Sequence, residues 1–183
     1  VNPALPGTAD DLKRALTAFR VRGIRIYPGF HGYSLSDECM EPVLSFLKDQ
    51  KLPLFITFRM EDERVTHMFH PKSLNAQEAD EFIKSTFGFP IVLSNIRDHE
   101  LVGIKDTVLL RNDVFSDTCG FKSYLFYLED ICETGLTEHI VFGSLSPIFC
   151  LKSTLLVVET AEIPEEEKKK ILSGERLWTD IKA

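Results

Sequence analysis

The densest run of chemically capable side chains in this sequence is Glu61-Asp62-Glu63-Arg64-Val65-Thr66-His67-Met68-Phe69-His70. Carboxylates and imidazoles are the groups that take or give a proton near neutral pH, so Asp62 and His67 are the candidate catalytic pair. Asp62, Glu63, His67 and His70 also offer oxygen and imidazole donors, and His67 and His70 are one helical turn apart, a spacing that permits joint ligation of an ion. The competing reading is a solvated loop held by Glu–Arg pairs, with Arg64 beside Asp62 touching a ligand. Other candidate ligand-binding residues are scattered. Arg25 and Tyr27 alternate with Ile24 and Ile26, so they share one face of a strand. His31 lies in the glycine- and aromatic-rich loop Gly29–Tyr33, and Asn95 closes another strand. Arg59, Arg97 and Arg111 fall at or just beyond strand ends, where a guanidinium can hold a carboxylate or phosphate through two parallel bonds. Ser144 sits on a Gly-Ser turn with no His or Asp at a spacing that would make it a nucleophile.

The elements that must position these groups follow from periodicity and punctuation. Thr8 can cap a helix over Asp10–Phe19, with two aspartates in its first turn and Leu12, Ala15, Leu16 and Phe19 as its apolar stripe. Residues 23–28 read as a strand ending at Pro28, and a helix with Pro42 near its first turn follows from Ser36. The near-continuous apolar runs 52–58 and 89–95 suit parallel strands covered on both faces, and Asn75 caps the helix between them. Thr107–Arg111 reads as the fourth strand, with 112–120 as its exit loop, and Tyr124–Cys132 as the helix after it. Ile140–Phe142 is the fifth strand, running into the turn Gly143-Ser144 and then helices from Lys152 and Ile163. In the last of these Glu165, Glu166 and Glu167 precede Lys168, Lys169 and Lys170, the charge order that complements a helix dipole on a solvated face.

Five strands each followed by helix, with no hairpin signal, imply an all-parallel α/β fold. Two architectures satisfy that pattern: an open doubly wound sheet or part of a (β/α)8 barrel. Neither a GxGxxG nor a P-loop signature is present to favour the first. A complete barrel takes about 250 residues and eight strands, so five units match the last five of eight in a single domain over 1–183. In a βα unit the chemistry sits where the strand stops. The strands at 24–28 and 139–143 would then be open edges, to be covered by an N-terminal segment of the same protein or by a second copy. The start at Val1, on Asn2-Pro3 and without an initiator methionine, reads as the middle of a longer protein.

Bulk composition narrows the partner. The 183 residues are 44% hydrophobic and 27% charged, with a net charge of -7, which disfavours non-specific binding to nucleic acid or an anionic membrane and leaves a small molecule or another protein. No apolar run nears the roughly 20 residues of a membrane span, and no signal peptide is visible. Cys39, Cys119, Cys132 and Cys150 form no close pair, so a zinc ribbon or redox motif is not indicated and a reducing, cytoplasmic setting is expected.

At this level of detail the sequence resembles the amidohydrolase-related proteins, the TIM-barrel metal-dependent hydrolases, from their fourth strand to the C-terminus. The resemblance rests on Asn2-Pro3 with a helix leading to Gly-Ile-Arg-Ile-Tyr-Pro28 and on the Leu-Pro-Leu-Phe-Ile56 strand. It rests also on the Phe142-Gly-Ser-x-x-Pro147 turn, and on a tail in which Ile163-Pro-Glu-Glu and Lys170-Ile-Leu lead to Arg176-Leu177. It implies a barrel with one or two divalent metals at its C-terminal mouth, held by a His-x-His pair on the first strand, histidines after the fifth and sixth, and an aspartate after the eighth. The fifth- and sixth-strand histidines would fall at Thr57 and Asn95, and the aspartate at Leu145. The resemblance therefore implies loss of the standard metal site, leaving no cofactor, or an ion such as zinc only through atypical ligands. The reading is a hydrolase of this class acting on a small anionic molecule. The alternatives are a pseudoenzyme that binds a ligand without turnover, and a C-terminal part whose function resides in the intact protein.

Overall fold

The computed structural model describes residues 1–61, 71–122 and 126–178. Helix α1 spans Thr8–Ala18. The N-cap is Gly7, with φ 86°, and not Thr8: the Thr8 hydroxyl donates instead to Asn2 O and Leu5 O, which ties the turn before the helix. Strand β1 (Ile24–Ile26) runs into a short helix α2 (Pro28–His31), and a 3-10 turn at Glu38–Met40 leads to α3 (Glu41–Gln50). Strand β2 is Leu54–Thr57 and α4 is Ala76–Ser85. The Asn75 side chain accepts from Gln77 N, the cap its residue type suggests. Then come β3 (Ile91–Ser94), α5 (Asp98–Gly103), α6 (Lys105–Leu109) and β4 (Val114–Asp117). Helix α7 (Tyr127–Glu133), β5 (Ile140–Val141), α8 (Leu151–Thr160), α9 (Glu165–Ser173) and α10 (Glu175–Trp178) complete the chain.

The strands form one parallel sheet in the order β1-β2-β3-β4-β5. A doubly wound sheet reverses its strand order at a switch point, whereas a barrel adds each strand beside the last. The sequential order settles that choice: this is a partial barrel. Side-chain alternation agrees. Ile24, Ile26, Leu54, Ile56, Ile91, Leu93, Val114 and Ile140 enter one large core with helix residues such as Val43, Leu47, Ile83, Val108, Ile131 and Val158. Phe55, Val92, Phe115 and Val141 face the other way and form a separate cluster with Leu177. The first face is the outer wall under its helices, and the second is the barrel interior.

The fourth strand departs from expectation. Thr107–Leu109 lies in α6, and β4 occupies Val114–Asp117, inside the stretch expected to be its exit loop. Leu101, Ile104 and Val108 are buried at helical spacing, while Leu109 and Leu110 are 41% and 86% exposed, which a central parallel strand would not allow. The correction also moves Arg111 to the rim opposite the strand C-termini. There its guanidinium bonds Asp113 Oδ1 and Oδ2 at 2.9 and 2.7 Å, donates to Ile83 O, and lies 4.5 Å from the Phe87 ring centroid. The stripe of α1 is likewise narrower than read: Leu12 is buried, but Leu16 and Phe19 are exposed.

Candidate functional site

The inner face carries two successive rows. In the lower row β1–β2 pairing sets Arg25 beside Phe55, β2–β3 pairing sets Phe55 beside Val92, and β3–β4 pairing sets Val92 beside Phe115. Two residues nearer the strand C-termini, Thr57 pairs with Ser94; Asp117 pairs with Val141. The interior thus changes from apolar to polar on approaching the end where barrel chemistry sits. Arg25 bridges the rows. Its guanidinium lies 5.1 Å from the Phe55 ring centroid, and Nη1 donates to Thr57 Oγ1 at 3.2 Å. The Ser94 hydroxyl, in a fully buried residue, has no hydrogen-bond partner among the described residues.

A hydrogen-bonded network fills the loops just above. Asn95 has φ 56°, a left-handed conformation that asparagine tolerates better than other residues with a Cβ. Its Nδ2 donates to Arg59 O at 2.7 Å, and Arg59 Nη1 returns a bond to Asn95 O at 3.0 Å. Arg59 is also locked bidentately on Glu100, with Nη1–Oε2 at 2.8 Å and Nη2–Oε1 at 2.7 Å. Glu100 Oε2 in turn accepts Arg97 N at the start of α5. Asp117 Oδ1 accepts from Asn95 N, Cys119 N and Cys119 Sγ at 3.1, 3.3 and 2.9 Å. Burial, then the neighbouring Asp117 charge, push the Cys119 thiol far above the ordinary range, so it remains a protonated donor. The close approach of these loops depends on Gly120: a Cβ there would stand 1.9 Å from Ile96 O.

Beside this network, His31 packs edge-on against Tyr27, with centroids 5.8 Å apart, and stacks on Tyr33 at 6.3 Å. His31 and Tyr33 border a cleft of about 580 Å³ reached also by Asp37, Lys72 and Glu78. Burial, then the N-terminal ammonium, hold the His31 imidazole below its usual range, favouring the neutral ring. A Cβ on Gly29 would meet Lys72 O at 1.7 Å, so only glycine lets α2 seat against Lys72.

The sequence candidates therefore separate. Arg25 lies on the inner face, and Arg59 and Asn95 grip each other; Tyr27 and His31 stand at the two ends of α2, a short helix where a loop was expected from Gly29. Asp62, Arg64 and His67, with Glu63 and His70, lie outside the described residues. Ser94, Glu100, Asp117 and Cys119 are central to the geometry and were not anticipated. Asp117 and Cys119 were hidden by the misplaced fourth strand. A usable signal was the short run Val114-Phe115-Ser116 leading into Asp117-Thr-Cys-Gly120, which is again strand followed by small-residue turn.

The profile of the family described as Amidohydrolase matches residues 1–178. The chain belongs to the amidohydrolase family. No match was found among curated proteins. Among solved structures, the chain is similar to an uncharacterised TIM-barrel protein from Bordetella bronchiseptica, with TM-score 0.71 and 18% identity over 93% of this chain and 61% of that one. It is similar to 5-carboxyvanillate decarboxylase from Sphingomonas paucimobilis at TM-score 0.68 and 16% identity, covering 97% of this chain and 64% of the other. A dihydroxybenzoic acid decarboxylase from Polaromonas sp. JS666, with bound manganese and the inhibitor 2-nitroresorcinol, gives 0.68 and 14%, covering 96% and 66%. This amidohydrolase-family chain thus spans about two thirds or less of the length of these structures, and at such identities the likeness establishes the TIM-barrel fold. No helix among the described residues is long and apolar enough to cross a membrane.

Proposed function

We propose that this amidohydrolase-family chain forms part of a barrel whose mouth takes a small anionic molecule, and that it does so without the family's usual metal centre. The observation that carries the reading is the contact of Arg25 with Thr57. At the position where the resemblance implies a metal-binding histidine, a threonine hydroxyl is already engaged by a guanidinium. Asn95, at the next position, turns its amide to Arg59 O. Leu145, at the third, has no donor atom. Two neutral oxygen-bearing side chains and one hydrocarbon do not suit a divalent ion, least of all beside a fixed positive charge. Among the described residues no three His, Cys, Asp or Glu side chains gather where they could hold one.

The anionic character of the ligand follows from charge. The only side-chain acceptor of the Arg25 guanidinium among the described residues is the neutral Thr57, so none of their carboxylates bonds it on the inner face. Two of the similar structures are decarboxylases named for aromatic carboxylic acids, which is compatible with a site for a small carboxylate. Whether binding is followed by turnover divides an enzyme from a binding protein on the same barrel. An N-terminal segment of the same protein, or a second copy, completes the wall beside the open edges of β1 and β5.

Elemental analysis of the protein purified without chelators, together with a thermal-shift series of benzoate and related carboxylates, tests the reading. The expected result is metal well below one equivalent per chain and stabilisation by carboxylates but not by the matching amides. Stoichiometric zinc, manganese or iron would overturn the metal-free part. Equal response to acids and amides would overturn the anionic part.

A further inference from the structure

We infer that Arg25 and Ser94 form a metal-independent carboxylate subsite on the inner face of the sheet, in which the guanidinium supplies the positive charge and the serine hydroxyl the second donor. This rests on the functional reading above and specifies which residues do the binding. Three independent observations converge. Arg25 is half-buried on the interior face, its only acceptor among the described residues is Thr57 Oγ1, and the rest of its planar donor fork remains available. Ser94 is 0% exposed and its Oγ has no partner among the described residues, although a buried hydroxyl normally finds one. The strand register then sets Ser94 directly beside Thr57, the residue on which Arg25 rests.

An orphaned buried hydroxyl costs stability in the free protein. A carboxylate that enters against Arg25 recovers that cost by accepting from Ser94 Oγ as well. Neither Thr57 nor Ser94 is open to water, at 2% and 0% exposure, so the half-exposed Arg25 side chain moves off Thr57 as the ligand arrives and carries one carboxylate oxygen toward the row. Phe55, Val92, Phe115 and Val141 form the apolar floor next to it. The subsite therefore fits a single carboxylate on a flat apolar body better than a phosphate or a dianion, which would bring more charge than one guanidinium can match.

Isothermal titration of benzoate into the full chain, with Arg25→Gln, Arg25→Lys and Ser94→Ala variants, tests the assignment. Losing a charge-assisted bond should weaken binding roughly ten- to hundredfold in Arg25→Gln. Arg25→Lys should recover part of this, since it keeps the charge and loses the fork. Ser94→Ala should weaken benzoate while leaving the melting temperature of the unliganded protein unchanged or higher, because it removes an unpartnered hydroxyl. Failure of the unaltered protein to bind any small carboxylate would overturn the functional reading and this subsite with it. Carboxylate binding that survives both Arg25→Gln and Ser94→Ala would overturn the subsite alone. A fall in the unliganded melting temperature of Ser94→Ala would show that the hydroxyl serves the fold, and would remove its assigned role.

Discussion

Glu100→Ala should be among the most damaging single changes near the barrel mouth. The Arg59 and Glu100 side chains are 8% and 20% exposed, and they meet through two short parallel bonds. Removing the carboxylate takes from a buried guanidinium the bidentate counter-charge that Glu100 supplies, and breaking a buried pair of this kind costs about 3–5 kcal/mol. Loss of the acceptor for Arg97 N at the start of α5 adds about 1 kcal/mol. Other contacts of Arg59, among them the bond from Nη1 to Asn95 O, offset a part, so a net loss of about 3–4 kcal/mol is expected. Urea unfolding followed by circular dichroism measures it, and with a slope of about 2 kcal/mol/M the midpoint should fall by roughly 1.5–2 M. The double variant Arg59→Met with Glu100→Leu should recover most of the loss, because an apolar pair of similar volume removes both the charge and its desolvation cost. A loss below about 1 kcal/mol in Glu100→Ala, or a double variant as unstable as the single, would refute the claim that the buried charge sets the size of the effect.

Leu145 holds φ 52° with a branched side chain, in a region that costs an ordinary L-residue about 1–2 kcal/mol. Leu145→Asn should therefore raise stability by about 0.5–1 kcal/mol in the same assay, the lost packing taking back the remainder. Glu167 is held below its usual carboxylate range chiefly by the hydrogen bond from Arg176, with burial opposing and Lys170 assisting. A depressed carboxylate stabilises the fold above its unfolded-state value near 4.5 and loses that contribution as pH falls below it. The melting temperature should drop through that acid limb, and Arg176→Met should flatten the drop. Thiol labelling should modify the exposed Cys150 in the native state and reach the buried, proton-retaining Cys119 only after unfolding.

Much of the architecture was legible because it rests on local rules. The apolar runs at 54–57 and 91–94, the cap at Asn75 and the glycine stops each announce an element without knowledge of its neighbours. The failure at Thr107–Arg111 has a physical cause: four apolar or β-branched residues in a row fit a buried strand and a helix turn equally well. Packing chose the helix, since Leu101, Ile104 and Val108 then reach one core.

The sequence by itself determined that the fold is parallel α/β, and the family resemblance in it places metal donors at Thr57, Asn95 and Leu145. Only the tertiary structure decided between a barrel and an open sheet, through the order of the strands. Only it joined Arg25 to Thr57 across 32 residues of sequence, Arg59 to Glu100 across 41, and set the silent Ser94 beside them. The reason is one of range. Helix and strand signals are written within a few residues, whereas register and the pairing of charges depend on elements that meet only after the chain has closed upon itself.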